Sequence, residues 1–256
     1  MTTGLVRWAA RALPVVAAAG ALGASAAAYT TEDLKRDARA HHARMMQTLR
    51  GVRITQSTTF TAPGAGQAGG LQDLWLQGDR WRIEGAAALG GAGQGTIQST
   101  TLFDGKDLWM LTMGMKVKLP GGQGPAPFTA PWGSLPDGTE VVGSDRVSGR
   151  DCWMLRHPVM PRNRAISVGP TQVCIDKKQF MLLMTESVLS GRTVRTTMSD
   201  FRAVKGYEFP QLSTTTSNGT TTMTSKVTRL EVGVDLPEDL FDPAKLGGAP
   251  AGGARK

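Results

Sequence analysis

Gly149-Arg150-Asp151-Cys152-Trp153-Met154-Leu155 and Gln172-Val173-Cys174-Ile175-Asp176-Lys177-Lys178-Gln179-Phe180 set the architecture expected of this 256-residue chain. In both, side chains alternate apolar and polar, the pattern of a strand buried on one face. The rhythm continues through Ser199-Asp200-Phe201 and Gly206-Tyr207-Glu208-Phe209-Pro210. No convincing helical stretch interrupts the run from Val141 to Pro243. Short strands joined by short turns read as an antiparallel meander.

The same period of two extends upstream to Val52, with Thr, Val and Trp enriched. Leu74-Trp75-Leu76-Gln77-Gly78-Asp79-Arg80-Trp81-Arg82-Ile83 reads as a hairpin with a two-residue Gly78-Asp79 turn. Counting outward places Leu76 opposite Trp81 and Leu74 opposite Ile83, pointing inward, with Trp75 opposite Arg82 on the other face. A second hairpin turns at Asp104-Gly105-Lys106-Asp107. Its return strand from Leu108 to Met113 is apolar on both faces, which leaves its inward face open. Ala62 to Gly70, Gly85 to Gly95 and Pro120 to Gly138 are rich in Gly, Ala and Pro and are expected as loops. One helix is expected, over about residues 31 to 50. Thr30 and Asp33 have capping-box spacing, Gly51 can end the helix, and Leu34, Ala38, Met45 and Leu49 form its apolar side.

The two cysteines of the chain follow from strand pairing. If Asp176 to Gln179 is a four-residue turn, Ile175 faces Phe180 and Val173 faces Leu182. A register that aligns Trp153 with Val173 puts Cys152 opposite Cys174 and Arg150 opposite Asp176. In an oxidising compartment this pair forms a disulfide worth about 3 kcal/mol in the loop-entropy model. The alternative is two unrelated thiols.

Arg7 and Arg11 precede an apolar stretch from Ala12 to Leu22, and Ala24-Ser25-Ala26-Ala27-Ala28 offers a small-residue cleavage site. This is the layout of a secretory signal over residues 1–28. An uncleaved anchor is the alternative, although the stretch is short and rich in Ala and Gly for a spanning helix. About 228 residues remain, read as one domain over 29–246 and a disordered tail over 247–256. The net charge of +8 suits anionic surfaces or acidic partners, but the basic residues are scattered without a groove-reading motif, which argues against nucleic acid. Catalytic motifs are missing: no nucleophile elbow, phosphate loop or metal-ligand cysteine cluster appears. His41 and His42 are adjacent, about 100 degrees apart on a helix, so they form no i,i+4 ligand pair and read as surface histidines. His157 lies at a strand end. Asp104, Asp176 and Asp200 fall near turns, where carboxylates set turn geometry. The expectation is a non-enzymatic protein without metal or cofactor. Met110, Met113, Met115, Met154, Met160, Met181, Met184, Met198 and Met223 lie on or beside expected strands and suit an adaptable apolar wall.

These segments, together with Leu236-Pro237-Glu238-Asp239-Leu240-Phe241-Asp242-Pro243, resemble the outer-membrane lipoprotein-sorting superfamily, the LolA/LolB-like half-barrels. The resemblance implies a mainly β (α+β) fold: a strongly curved antiparallel sheet, an open half-barrel, with the N-terminal helix covering its concave face. It further implies a hydrophobic cavity for acyl chains. On that pattern Leu74, Leu76, Trp81, Ile83, Trp153, Leu155, Val173, Ile175, Phe180 and Leu182 are the cavity candidates. The family's carriers use an Arg near the cavity, for which Arg53, Arg80 and Arg82 are positional candidates, none matched by a motif. The implied function is a monomeric periplasmic carrier that shields the lipid of a lipoprotein during outer-membrane sorting. The alternative is a lipid or lipoprotein sensor that signals to a membrane-associated protein partner. For the cysteines, alkylation of the native chain is expected to find no free thiol without reductant and two with it; an equal count in both would exclude the bridge.

Overall fold

The computed structural model describes residues 29–62, 66–88, 96–119, 138–157, 171–189 and 191–246. The expected signal over 1–28 and the expected tail over 247–256 lie outside the described residues. One helix, α1 (Thr31–Leu49), precedes β1 (Gly51–Ala62), β2 (Gly66–Gln77), β3 (Arg80–Ala88), β4 (Thr96–Phe103), β5 (Leu108–Thr112) and β6 (Met115–Leu119). A second run comprises β7 (Glu140–Val147), β8 (Arg150–His157), β9 (Thr171–Asp176), β10 (Leu182–Leu189), β11 (Arg192–Val204), β12 (Tyr207–Ser217) and β13 (Thr220–Val232). Among the described residues thirteen strands form one antiparallel sheet, ordered β6-β5-β4-β3-β2-β1-β13-β12-β11-β10-β9-β8-β7. The chain therefore starts in the middle, meanders out to one edge, resumes at the other edge and returns to pair β13 with β1. The sheet curves into an open half-barrel, and α1 covers its inner face.

Local chemistry explains α1. Thr30 Oγ1 accepts from the Asp33 N–H at 3.1 Å, and Asp33 accepts from the Thr30 N–H at 3.1 Å, so the capping box satisfies two otherwise orphaned donors. Glu32 and Asp33 face the positive end of the helix dipole. At the other end the left-handed residue is Arg50, φ 59°, not Gly51. Gly51 has another task. The N–H groups of Gly233 and Val234 both approach the Gly51 carbonyl, and a Cβ on Gly51 would stand 2.1 Å from the Val234 carbonyl oxygen.

Four apolar clusters occupy the two sides of the sheet. On the inner side Met45, Met46 and Leu49 of α1 meet Val52, Ile54, Leu74, Leu76, Trp81 and Phe209. Further along α1, Leu34 and Ala38 meet Leu155, Val173 and Ile175. On the outer side the two short 3-10 turns Glu238–Phe241 and Pro243–Lys245 bring Leu240, Phe241 and Leu246 against Trp75 and Leu102. Arg82 donates to the Leu240 carbonyl at 2.9 Å, and Arg80 pairs with Glu238 while lying over the Phe241 ring. The fourth cluster surrounds the disulfide with Met181, Leu183 and Met184.

The Gly78-Asp79 hairpin has the expected register, with Leu76 against Trp81, Leu74 against Ile83 and Trp75 against Arg82. The Cys152–Cys174 bridge is formed, with the Cα atoms 5.6 Å apart, but the register that makes it differs from the expectation by two residues. Trp153 pairs with Ile175, Leu155 with Val173 and Cys152 with Asp176, so the bridge runs diagonally between strands. A slip of two preserves side-chain facing, which is why both cysteines still share one face. Arg150 likewise reaches Asp176 diagonally, at 2.7 Å. The β9–β10 turn is also longer than four residues. Phe180 takes φ 51° inside it, Leu182 pairs with Ile175 rather than Val173, and a register shift follows before Met184. The buried Asp176 carboxylate causes this by accepting from the Lys178 N–H at 2.8 Å and holding the turn open around itself.

Two expected loops are strand where they are described, residues 63–65 and 89–95 lying outside the described residues. Gly66 to Gly70 pairs with Thr58 to Ala62, and Gly85 to Ala88 pairs with Thr96 to Ser99. Backbone ladders tolerate small residues wherever both neighbours supply partners, and the composition alone hid this. The expected loop over 120–138 lies outside the described residues except Gly138.

Gly51→Ala is expected to lower stability by about 3 kcal/mol in urea unfolding, through overpacking against backbone. Gly78→Ala, φ 58° with nothing within 4 Å, is expected to cost only about 1 kcal/mol of backbone strain. Equal losses in the two variants would refute the close-approach role of Gly51.

Candidate functional site

The ten residues expected to line a cavity all lie on the side of the sheet that α1 covers. They fall into two groups. Leu74, Leu76 and Trp81 are core residues of the cluster under the C-terminal half of α1, with Ile83 packed against it. Leu155, Val173 and Ile175 are core residues under its N-terminal half, with Trp153, Phe180 and Leu182 packed against them. Tyr29 fastens that end of the helix by stacking on Trp153 at 4.6 Å and donating to Asp37 at 3.0 Å. Burial and the adjacent Asp37 push its phenol up to about 12, so it remains a donor. Thr31 Oγ1 adds a bond to the Thr139 carbonyl at 3.1 Å. Helix α1 thus runs obliquely, from the start of β7 to the start of β1.

Between the two clusters lies a cavity. Ala38, His41, His42 and Met45 line it from α1, Val52 and Leu76 from β1 and β2, Gln179, Phe180 and Met181 from the β9–β10 turn, and Glu208 and Phe209 from β12. Its free space is about 20 Å³, which accommodates one water molecule but no acyl chain.

The histidines are not the surface residues expected from their spacing. His41 lies between the Phe180 and Tyr207 rings, 5.5 and 5.4 Å from their centroids. Among the described residues, its Nε2 and the Nδ1 of His42 are buried without a hydrogen-bond partner. The helix crosses the sheet obliquely, so positions on both sides of its apolar stripe are covered, including two 100 degrees apart. Burial lowers the pKa of both. For His41 the charges of Arg44 and His42 add to this and Asp176 opposes it; for His42 the Gly78 backbone and Asp79 oppose it. His157 is lowered by burial too, and its Nδ1 meets Thr139 Oγ1 at 2.8 Å.

Arg53, Arg80 and Arg82 all lie on the outer face. Arg53 stands over Trp75 at 5.7 Å, and the other two hold the C-terminal turns. Another arginine is close to the cavity. Arg150 links Asp176 and Glu208, and Glu208 is one of the lining residues. The Arg150–Asp176 pair is legible from strand parity in the sequence, whereas Glu208 carries no such signal. Asp176 and Asp104 both set turns, the latter accepting from the Asp107 N–H at 2.7 Å. The methionines divide: Met154, Met181 and Met184 pack around the disulfide on the outer side, whereas Met45 and Met46 of α1 fill the inner side. The cavity itself is lined by Met45 of the helix and Met181 of the β9–β10 turn rather than by a wall of strand methionines. Met113 and Met115 are exposed, and Met160 lies outside the described residues. Among the described residues no group of three or more His, Cys, Asp or Glu is arranged to hold a metal.

An open antiparallel half-barrel whose inner apolar face is closed by one helix defines a structural class, and solved structures share it. The chain is similar to an outer membrane lipoprotein-sorting protein domain from Vibrio parahaemolyticus, with 12% identity over 85% of this chain and 97% of that one, TM-score 0.55. It is similar to a LolA superfamily protein from Nitrosomonas europaea, with 13% identity over 83% and 97% of the two chains, TM-score 0.51. A DUF1329 family protein from Desulfovibrio piger matches at 13% identity over 82% and 98%, TM-score 0.51. The likeness is one of fold, and it shows the LolA-type architecture that the strand rhythm resembled. No protein-family model and no curated protein matches the chain.

The lowered histidine values fix the sign of a pH dependence. Their stabilising contribution is complete above the unfolded value of about 6.5 and is lost as pH falls below it, because the unfolded chain takes up the protons first. Thermal unfolding is therefore expected to shift downward between pH 7.5 and 5, and less steeply in a His41→Gln/His42→Gln variant. Parallel pH profiles for variant and wild type would contradict the burial of these imidazoles.

Proposed function

We propose that this protein is a non-enzymatic, exported lipid-binding carrier that takes acyl chains between α1 and the inner face of the half-barrel, shielding a lipid or the lipid of a lipoprotein in transit. The observation that carries this reading is the ownership of the cavity. One helix closes the inner face on both sides of it, chiefly through Leu34, Met45, Met46 and Leu49, all buried. Burying each such side chain stabilises by about 2 kcal/mol, so releasing four costs about 8 kcal/mol. Ten methylenes of an acyl chain recover about the same amount at 0.8 kcal/mol each. Guest and helix compete on nearly equal terms, which suits reversible loading. The relatives in fold include a domain described by lipoprotein sorting, and their architecture supports the same use. Export to the periplasm agrees with the leader-like N-terminus and with the disulfide.

A second reading, a lipid-responsive module that contacts a protein partner without moving cargo, draws support from the β5–β6 hairpin. Met113, Met115 and Val117 there are 72%, 62% and 47% exposed. Exposed apolar side chains gathered on one hairpin suit a protein contact. Only a carrier moves lipid between two vesicle populations.

Helix competition makes a prediction with two signs. Met45→Ala/Met46→Ala loosens the helix and is expected to bind a fluorescent acyl probe at least tenfold tighter than wild type. Trp81→Asp puts a charge into the floor and is expected to abolish binding in a protein with unchanged circular dichroism. Absence of probe binding in wild type and in the double alanine variant alike would establish a filled core and refute the carrier reading.

A further inference from the structure

The inner face of the sheet does not end where the helix ends. Ile54 of β1 lies under α1, and because strand side chains alternate, Gln56, Thr58 and Phe60 continue the same face away from it. Directly opposed residues share a face, so the register extends this surface to Gln72 on β2, Ser225 and Met223 on β13, Thr215 on β12 and Thr196 on β11. The helix passes obliquely from β7 to the start of β1 and leaves this far half outside its apolar contacts.

Its composition is unusual for a sheet face over which, among the described residues, no helix or turn is packed. These positions hold hydroxyls, amides and two apolar side chains, and no charge. The outer face of the same strand segments carries Asp73, Glu84, Lys226, Arg195 and Glu186. Both faces belong to the same strands, so strand propensity cannot account for the difference. A face selected only for contact with water would carry charges on both sides. The hydroxyls are arranged in cross-strand pairs: Thr58 with Ser225 at 2.9 Å and Thr196 with Thr215 at 2.9 Å, while the Gln56 and Gln72 amides bond to each other. Thr58, Ser225 and Thr215 are each at least nine-tenths buried. A hydroxyl has one donor and two acceptor sites, so each pair keeps unused capacity for a guest's own hydroxyl or ester groups.

We propose that this charge-free, hydroxyl-lined half of the inner face seats the uncharged polar part of an amphiphile whose acyl chains lie under α1, so that the ligand class is a neutral, hydroxyl-bearing lipid of the glycosylated diacylglycerol kind. The inference rests on the lipid-binding reading and narrows it. An anionic phosphate placed here would lose its hydration without meeting a cation, a cost that a sugar ring or glycerol ester avoids. Phe60, 39% exposed, and Met223 supply apolar surface of the kind on which the faces of sugar rings rest. Continuity of the face fixes the orientation, with acyl chains toward Leu74 and head toward Thr215.

The test is displacement of a fluorescent acyl probe from the purified protein by oleate, by monogalactosyl dioleoylglycerol and by dioleoyl phosphatidylglycerol. The galactolipid is expected to bind at least tenfold tighter than the phospholipid. Thr215→Asp is expected to remove that advantage while leaving oleate unchanged, and the uncharged Thr58→Val to weaken the galactolipid severalfold. Oleate binding without preference between the two diacyl lipids, or with preference unaltered in both variants, would overturn this inference and leave the carrier reading standing. Failure of all three ligands would remove both. A wild-type dimer that Thr215→Asp dissociates would assign the face to a second copy of the chain and overturn the proposal.

Discussion

The pairing of β1 with β13 holds the two meanders in one sheet. Every other strand pair joins sequence neighbours, and β6 and β7, the remaining consecutive strands, stand at opposite edges. Residues far apart in the chain are therefore paired at the centre, as Val52 is with Val232. The helix is anchored to this seam, because Leu49 and Gly51 both offer their carbonyls to the Gly233 N–H, at 2.9 and 2.8 Å. One backbone junction thus ties helix, first strand and last strand together, and the absence of a side chain at Gly51 permits it. The cavity under α1 is a consequence: the apolar floor spans strands from both meanders, Leu74 and Leu76 from one and Phe209 from the other.

Around that junction the molecule distributes apolar material unevenly. The outer side is closed permanently by the C-terminal turns with their Arg80 and Arg82 clasp, and by the disulfide cluster. The inner side depends on one helix that brings two imidazoles into its own contact surface, each with a ring nitrogen that has no partner among the described residues. Unsatisfied buried polar groups weaken an interface. The fold is therefore fastened on the outside and held more loosely on the inside.

Much of this was legible in the chain. Period two gave the strands, and the Gly78-Asp79 turn gave a correct register because a two-residue loop leaves one pairing available. The facing of Trp153, Leu155, Val173 and Ile175 followed even from a pairing wrong by two, because facing depends on parity alone. What depended on tertiary position was not legible. The burial of His41 and His42 is set by the angle at which α1 crosses the sheet, and no local pattern encodes that angle. The β9–β10 turn was misjudged because the Asp176 side chain substitutes for backbone in shaping it. The polar half of the inner face was invisible until register showed that its hydroxyls share one side.

The central seam also sets the order in which the molecule can assemble. A chain that emerges from its N-terminus presents α1 and β1 first, and β1 to β6 can meander outward as soon as they are available. Yet β1 keeps one edge unpaired, and much of the apolar stripe of α1 lacks its floor, until β12 and β13 arrive near residue 232. Contacts at this separation close slowly, because loop entropy is spent before they reward it. The Cys152–Cys174 bridge, spanning 22 residues, shortens the search for the second meander only. The first half of the molecule must therefore wait, incomplete, for the last strand to give it an interior.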